Sequence, residues 1–285
     1  MPSEVVASGR PFLRWAGSKR WLVPHIGEYL PSSYGNYYEP FLGSGSVFFA
    51  LHANGREHYL SDGLAPLVNC YRQVSDNPDA VRLHIESFET SSEAYYALRL
   101  GQDMGATARA AAEFIYFNRL GFNGLYRVNL QGRYNVPYGR ARQPVVLGDT
   151  DDLAACAAVL RQGVHLSHSD FADALAGVKE HDLVYLDPPY VAGHRRNGFV
   201  DYNARVFRWS DQERLARLVE EMSEKGAFVL MSNADHESIR DLYPNSSIVE
   251  LSRFSSMAGA ASAREKSAEL LIVNQPLKER LGWLN

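Results

Sequence analysis

The run Asp182-Leu183-Val184-Tyr185-Leu186-Asp187-Pro188-Pro189-Tyr190 decides how the rest of the chain is arranged. Leu183 to Leu186 is a short apolar run of the kind that fills a buried parallel strand. Two prolines follow, and neither can donate to a sheet ladder, so the strand stops there. A residue that precedes proline is pushed out of the α region, which holds Asp187 and Pro188 extended and leaves the Asp187 carboxylate at the strand's carboxyl end. In open α/β sheets that end is where ligands bind. Working outward, further strands are expected at Glu57 to Ser61, Val164 to Phe171 and Ala227 to Asn233, with a closing antiparallel pair at Ile248 to Arg253 and Ala268 to Asn274. Helical stretches separate them. The alternation predicts a mixed, mostly parallel sheet with helices on both faces.

The corner after Leu186 accepts hydrogen bonds and donates almost none, because Asp187 offers acceptors only and Pro188 has a carbonyl but no N–H. Such a corner suits a planar amino group. The exocyclic nitrogen of adenine is a poor nucleophile while its lone pair is delocalised into the ring. Two acceptors gripping its hydrogens favour a pyramidal nitrogen, which stabilises the transition state rather than the substrate. Tyr190 supplies a face on which the base stacks. Asp and Pro are also ordinary turn residues, so the remaining sequence has to separate a site from a plain turn.

With 285 residues, 46% hydrophobic and 22% charged, the chain reads as a globular protein with ample core. A formal net charge of -4 argues against a protein that coats nucleic acid, so any polyanion site is local. Cys70 and Cys156 lack metal or redox spacing, and Met1 to Pro11 lacks the apolar core of a signal peptide. A reducing, cytoplasmic setting is expected, and no apolar run reaches membrane-spanning length.

Near the start, Phe12-Leu13-Arg14-Trp15-Ala16-Gly17-Ser18-Lys19-Arg20-Trp21 places two tryptophans and three cations around a small-residue turn. It is not a phosphate loop, since Phe12 stands where the first glycine is needed; by itself it reads as an arm on the surface. Next, an aromatic strand at Tyr37-Tyr38-Glu39 runs through Pro40-Phe41-Leu42 into Gly43-Ser44-Gly45 and an apolar helix ending near Gly55. Gly43 and Gly45 let backbone approach a ligand, and Asp62 lies about as far on as the acid that bonds ribose hydroxyls in nucleotide-binding units. Phe48 replaces the third glycine of a dinucleotide fingerprint, which points to an adenosine-bearing cofactor without a pyrophosphate. Asn69 to Gly105 reads as helical, with Tyr95, Tyr96 and Leu98 to Leu100 packing a small core.

Between Phe114 and Gly148 there is no Asp or Glu, while Arg119, Arg127, Arg133, Arg140 and Arg142 stand among seven aromatics. That is the electrostatic footprint expected where phosphates dock. The part from Asn118 to Arg140 reads as a helix end, an Asn-Gly turn and a hairpin, bearing Arg, Asn and Gln, the side chains that read purine edges. Farther on, Asp170 can accept from an adenine amine and Phe171 can stack on its ring. His165 and His168 lie at a strand surface, and no metal site is expected. Gly193 to Trp209, with Arg195, Arg196, Arg205 and Arg208, reads as a flap, and Ser210 to Glu213 as a capping box that starts a helix ending at Lys225-Gly226.

Taken together, Arg-Trp-Ala-Gly-Ser-Lys, Glu39-Pro40-Phe41 with its Gly-Ser-Gly, Asp62, the Asn118 to Arg140 segment, Ser169-Asp170-Phe171 and Asp187 to Tyr190 resemble, in the same order, the Dam-type, alpha-ordered DNA adenine methyltransferases of bacteria and phages. The resemblance covers most of the chain. It implies a Rossmann-like methyltransferase sheet, mostly parallel with one antiparallel strand, and an inserted helical plus β-hairpin DNA-recognition domain. The implied division is residues 1–68 and 160–285 for catalysis and 69–159 for recognition. It implies methyl transfer from S-adenosylmethionine to a flipped adenine in duplex DNA, in GATC or a related site, by a monomer or by a dimer on DNA, within restriction-modification or other methylation roles. Carried over residue by residue, Trp15, Lys19, Glu39, Phe41, Gly43, Gly45, Asp62 and Asp187 match the cofactor's surroundings, with Asp170 and Phe171 at its adenine. Asp187, Pro188, Pro189 and Tyr190 match the catalytic corner. Arg14 matches a basic residue touching bases and Arg127 an arginine reading a guanine; Phe122, Asn123 and Leu125 surround the space left by the flipped base. Asn118, Arg119, Arg133, Asn135, Tyr138 and Arg140 complete the implied DNA contacts. The family's Gly-Gly-Lys is Gly-Ser-Lys here, and its Tyr-Asn-Gly is Phe-Asn-Gly, one hydroxyl fewer in the recognition turn. The competing readings are a methyltransferase on RNA, a cytosine amine or a glutamine side chain, and a non-catalytic DNA-binding regulator. By analogy with the family, Asp rather than Ser or Asn before Pro-Pro, with the basic insertion, favours adenine in DNA, and a regulator has no need of the Asp187 run or the glycine turn.

Overall fold

The computed structural model describes residues 10–139, 150–191, 207–254 and 266–283. In chain order the first half contains α1 (Val23–Ile26), β1 (Tyr37–Glu39), α2 (Ser46–Leu51), β2 (His58–Asp62), α3 (Ala65–Asp76), α4 (Pro78–Glu86), α5 (Ser92–Leu100) and α6 (Ala108–Leu120). The second half contains α7 (Thr150–Leu160), β3 (Val164–His168), α8 (Phe171–Leu175), β4 (Leu183–Leu186), α9 (Trp209–Glu224), β5 (Phe228–Ala234), α10 (Glu237–Arg240), β6 (Ser247–Phe254), β7 (Lys266–Val273) and α11 (Gln275–Arg280). They fall into two compact units, residues 25–41 with 170–285, and residues 1–24 with 42–169.

The first of these units is built around β4. All four of its residues are buried, as a strand covered on both faces requires. It pairs in parallel with β1, Tyr37 opposite Leu183, and with β5, Leu183 opposite Phe228 through Leu186 opposite Met231. β7 then runs antiparallel to both β5 and β6, giving the order β1-β4-β5-β7-β6. The entry to β4 is fixed by Asp182, whose carboxylate accepts the Asn36 N–H at 2.7 Å and the Lys179 N–H at 2.9 Å. The capping box differs from its expected register. Arg208 is the N-cap and its N–H donates to Asp211 at 2.9 Å, so α9 starts at Trp209, two residues early. It ends as expected, with Gly226 at φ +79°.

In the other unit β2 and β3 pair in parallel, from His58 opposite Val164 to Asp62 opposite His168. The same unit contains a small aromatic core of Tyr95, Tyr116, Phe117, Leu120, Tyr134 and Val136. Leu98 packs against it, but Tyr96 and Leu100 are 38% and 78% exposed, because the helical period turns them outward. Tyr116 and Tyr134 fill the space instead. The hairpin expected after α6 reduces to the single bridges Gly121 to Tyr138 and Val128 to Tyr134. Side chains take the ladder's backbone groups: Gln102 accepts the Tyr134 N–H at 2.9 Å, and Asn129 accepts those of Gln131 and Arg133 at 2.9 and 3.0 Å.

Among the described residues, the five strands of the first unit, parallel apart from β7, and the parallel β2–β3 pair of the other, with helices between them, make the mixed Rossmann-like α/β architecture that the sequence led us to expect. Among the described residues no helix is long and apolar enough to cross a membrane.

Candidate active site

Because β4 stops at Leu186, Asp187 emerges from the sheet's interior half-buried, followed by buried Pro188. The neighbouring strand holds it. Ser232 of β5 lies one step beyond the Leu186–Met231 pair and donates its hydroxyl to Asp187 Oδ1 at 2.8 Å. The Tyr185 hydroxyl lies 3.0 Å from Ser232 Oγ. The Pro189 carbonyl accepts from Gln212 of α9 at 3.4 Å, and the Gln212 side-chain carbonyl accepts from Asn233 at 3.3 Å. The Tyr190 hydroxyl donates to Glu269 of β7 at 2.9 Å. Burial, then the nearby Asp187 and Glu269 carboxylates, push the Tyr190 phenol well above its ordinary value, so it stays protonated. Glu39, buried at the end of β1, accepts the Tyr37 hydroxyl at 2.7 Å.

The same unit contains a three-ring cluster. Phe171 lies 5.5 Å from Phe41 and 5.8 Å from Phe207, with Phe41 and Phe207 5.7 Å apart. Asp170 caps α8, accepting the Ala172 N–H at 2.9 Å, and its other oxygen accepts from Arg214 at 2.5 Å. The Arg214 guanidinium lies over the Phe171 ring, 4.2 Å from its centroid. One face of that ring is therefore covered by a cation.

The other unit holds the glycine turn. Gly43 at φ +48° and Gly45 at φ +64° adopt left-handed backbone conformations that favour glycine. A Cβ on Gly43 would press on the Trp15 indole at 2.9 Å. The Gly43 and Leu64 N–H groups donate to the two oxygens of Asp62 at 3.1 and 3.0 Å. Asp62 as a residue is half-buried, but its carboxyl end is enclosed, and that burial raises it to about 6 against the lowering effect of the two N–H donors and His168. The Tyr71 hydroxyl donates to the Gly43 carbonyl at 3.0 Å. Ser18, Ser44 and Ser46 form a triangle of hydroxyls 2.8 to 3.1 Å apart, tying the N-terminal arm to the glycine turn. The arm is no loose tail, since Phe12 and Leu13 are buried. Trp15 stacks 6.4 Å from both Phe114 and Tyr126, and the buried Lys19 donates to the Gly17 carbonyl at 2.8 Å.

The implied DNA contacts lie in this unit too. Asn118 is buried, and its amide accepts the Arg14 N–H at 2.8 Å and donates to the Arg14 and Gly124 carbonyls at 2.5 and 3.3 Å, leaving the Arg14 side chain exposed. Arg119 donates to the Phe12 carbonyl at 2.7 Å. Exposed Arg127 donates from Nε to the Asn135 side chain at 2.8 Å, which fixes its direction. Arg133 reaches the Leu100 carbonyl at 3.1 Å and the Tyr138 hydroxyl the Thr90 carbonyl at 2.9 Å. Phe122 is 50% exposed, Asn123 sits at φ +53°, and Leu125 is half-buried. Arg140, Arg142 and most of the expected flap, with Arg195, Arg196 and Arg205, lie outside the described residues. His165 and His168 are exposed on β3, and among the described residues no group of three or more His, Cys, Asp or Glu could hold a metal.

Ser232, Gln212, Glu269, Arg214, Phe207 and the serine triangle escaped the sequence reading. Ser232 and Glu269 looked like ordinary strand residues, and Arg214 with Asp211 like a surface pair at i,i+3. Only the pairing of distant strands assigns them neighbours.

Residues 15–257 match the family described as D12 class N6 adenine-specific DNA methyltransferase. The chain is 33% identical over 273 residues to the type II methyltransferase M1.LlaDCHI of Lactococcus lactis subsp. cremoris, covering 93% of this chain and 95% of that one. It is 33% identical over 272 residues to the DNA adenine methylase of Escherichia coli (strain K12), covering 94% and 96%. Against the type II methyltransferase M.MjaIII of Methanocaldococcus jannaschii it is 32% identical over 245 residues, covering 79% and 84%.

Proposed function

We propose a function on the premise that the chain belongs to the D12 class N6 adenine-specific DNA methyltransferases. Membership makes it an enzyme that moves a methyl group from a methyl donor to the N6 amine of adenine in DNA. Beyond that class, we assign S-adenosylmethionine as the donor, a flipped adenine as the acceptor, and GATC or a related sequence as the site.

The residues of the glycine turn fit such a donor. Gly43 leaves room that a Cβ would fill, and the Asp62 carboxylate suits a pair of ribose hydroxyls. Gly45, Trp15, Lys19, Glu39 and Phe41 are assigned to the same ligand, with Asp170 and Phe171 at its adenine ring. When bound, the donor supplies an electrophilic sulfonium methyl. What remains falls to side chains of this chain.

The observation that carries the reading is the acceptor corner of Asp187, Pro188 and Tyr190, each end of it held from behind by Ser232 or Glu269. Flipping a base costs a few kcal/mol, offset by stacking on Tyr190 and by hydrogen bonds to Asp187 and the Pro188 carbonyl. Asp187 is too weak a base to deprotonate a neutral aromatic amine, so the amine's proton leaves during or after methyl transfer. Residues 69–159 serve recognition, with Arg127 reading a guanine and Phe122, Asn123 and Leu125 around the vacated stack, while Arg14 touches bases; residues 1–68 and 160–285 serve catalysis.

Transfer of tritiated methyl from S-adenosylmethionine to duplexes with and without GATC tests this directly. Label is expected on adenine N6 in the GATC duplex. Asp187→Ala should still bind that duplex in a gel shift yet label it at less than about a thousandth of the wild-type rate. Labelling near the wild-type rate would remove Asp187 from this role.

A further inference from the structure

The corner after β4 does not hold its own geometry. A carboxylate at the end of an aspartate turns in a broad, nearly two-fold well, so Asp187 needs something beside it to choose one orientation. Ser232 provides that choice. Its hydroxyl has one proton, and the Asp187 oxygen at 2.8 Å is nearer than the alternative acceptor, the Leu186 carbonyl at 3.5 Å. With the proton given to Asp187, the 3.0 Å contact with Tyr185 requires the phenol to donate. Tyr185, only 2% exposed and with its phenol pushed well above the ordinary value, chiefly by burial, keeps that proton. Donation therefore runs one way, from Tyr185 to Ser232 to Asp187.

We infer that Ser232 is a positioning residue for methyl transfer: oriented by Tyr185, its hydroxyl sets the rotation of the Asp187 carboxylate that grips an adenine amine. The inference rests on the function proposed above. A hydrogen bond to a carboxylate is short, strong and directional. Ser232 itself is 1% exposed, held among packed side chains.

The test uses the full-length chain, duplex DNA containing the methylated site, and single-turnover transfer of label from S-adenosylmethionine. Ser232→Ala should slow the step roughly ten- to a hundredfold, with DNA and donor affinities within about twofold of wild type. The mark of a positioning role is that split, a loss confined to the transfer step while both ligands bind as before. Ser232→Thr, which keeps the hydroxyl, should restore most of the rate, and Tyr185→Phe should slow the step by less. Thermal melting identifies a variant that has lost its fold; should Ser232→Thr be one, the split of Ser232→Ala decides. A wild-type rate in Ser232→Ala overturns the inference, and so does a slowed rate that a folded Ser232→Thr does not rescue or that falls together with both affinities, which would mark plain packing. If the wild type labels no adenine in any duplex, the proposed function fails rather than the role of Ser232.

Discussion

Asp62 is where acidity should report on ligand binding. Burial raises its carboxyl group from the ordinary 3.8 to about 6, so the folded chain by itself favours the protonated form. The sign follows. Stability from this group is fully present below pH 3.8 and is lost as pH rises through about 6. A ribose diol works in the opposite sense, because its hydroxyls donate most strongly to an ionised acceptor. Donor affinity measured by calorimetry should thus be flat above pH 6 and fall by up to about tenfold per unit below it. Asp62→Asn should bind more weakly at neutral pH and show no such slope. An affinity that stays level from pH 7.5 to pH 5 in the wild type would place the hydroxyl partner elsewhere.

At the scale of elements, the N-terminal arm and the turn after α6 are joined by one buried amide, that of Asn118. Asn118→Ala leaves three backbone groups of Arg14 and Gly124 without that partner. It should cost about 1–3 kcal/mol in urea denaturation and weaken DNA binding by loosening Arg14; unchanged stability would show that solvent replaces the amide. This element also shows where the sequence was legible. Wherever local chemistry is decisive the reading held: two prolines end β4, Gly226 ends α9, and strand Leu183 to Leu186 is buried throughout. Where one side chain overrides local propensity it did not. Asn129 and Gln102 take backbone donors that a hairpin would have paired, and Asp211 starts α9 two residues early. The braces of the acceptor corner were hidden for a different reason. Ser232 and Glu269 lie 45 and 79 residues from the groups they hold, and only the β4–β5 and β5–β7 ladders bring them there.

For the molecule as a whole, the charge balance determines how DNA is met. A chain of net charge -4 repels a polyanion on average, so binding depends on the acid-free span from Phe114 to Gly148 and its five arginines. Three of the five make hydrogen bonds within the protein, Arg119 to the Phe12 carbonyl, Arg127 to Asn135 and Arg133 to the Leu100 carbonyl. Each arginine that also neutralises a phosphate adds about one to the slope of log affinity against log salt, or roughly fourfold between 50 and 200 mM. Arg133→Ala should reduce that slope by about one and weaken all duplexes alike. Arg127→Ala should leave the slope nearly unchanged and cost about 1–3 kcal/mol on the preferred site alone, relaxing the choice at one guanine. Titrations of preferred and scrambled duplexes at several salt concentrations separate the two, because a phosphate contact moves both curves and a base contact moves one. If both variants lowered the slope equally and kept the ratio between duplexes, Arg127 would be holding backbone, and the reading of sequence would have to come from Arg14 and the Phe122-Asn123 turn.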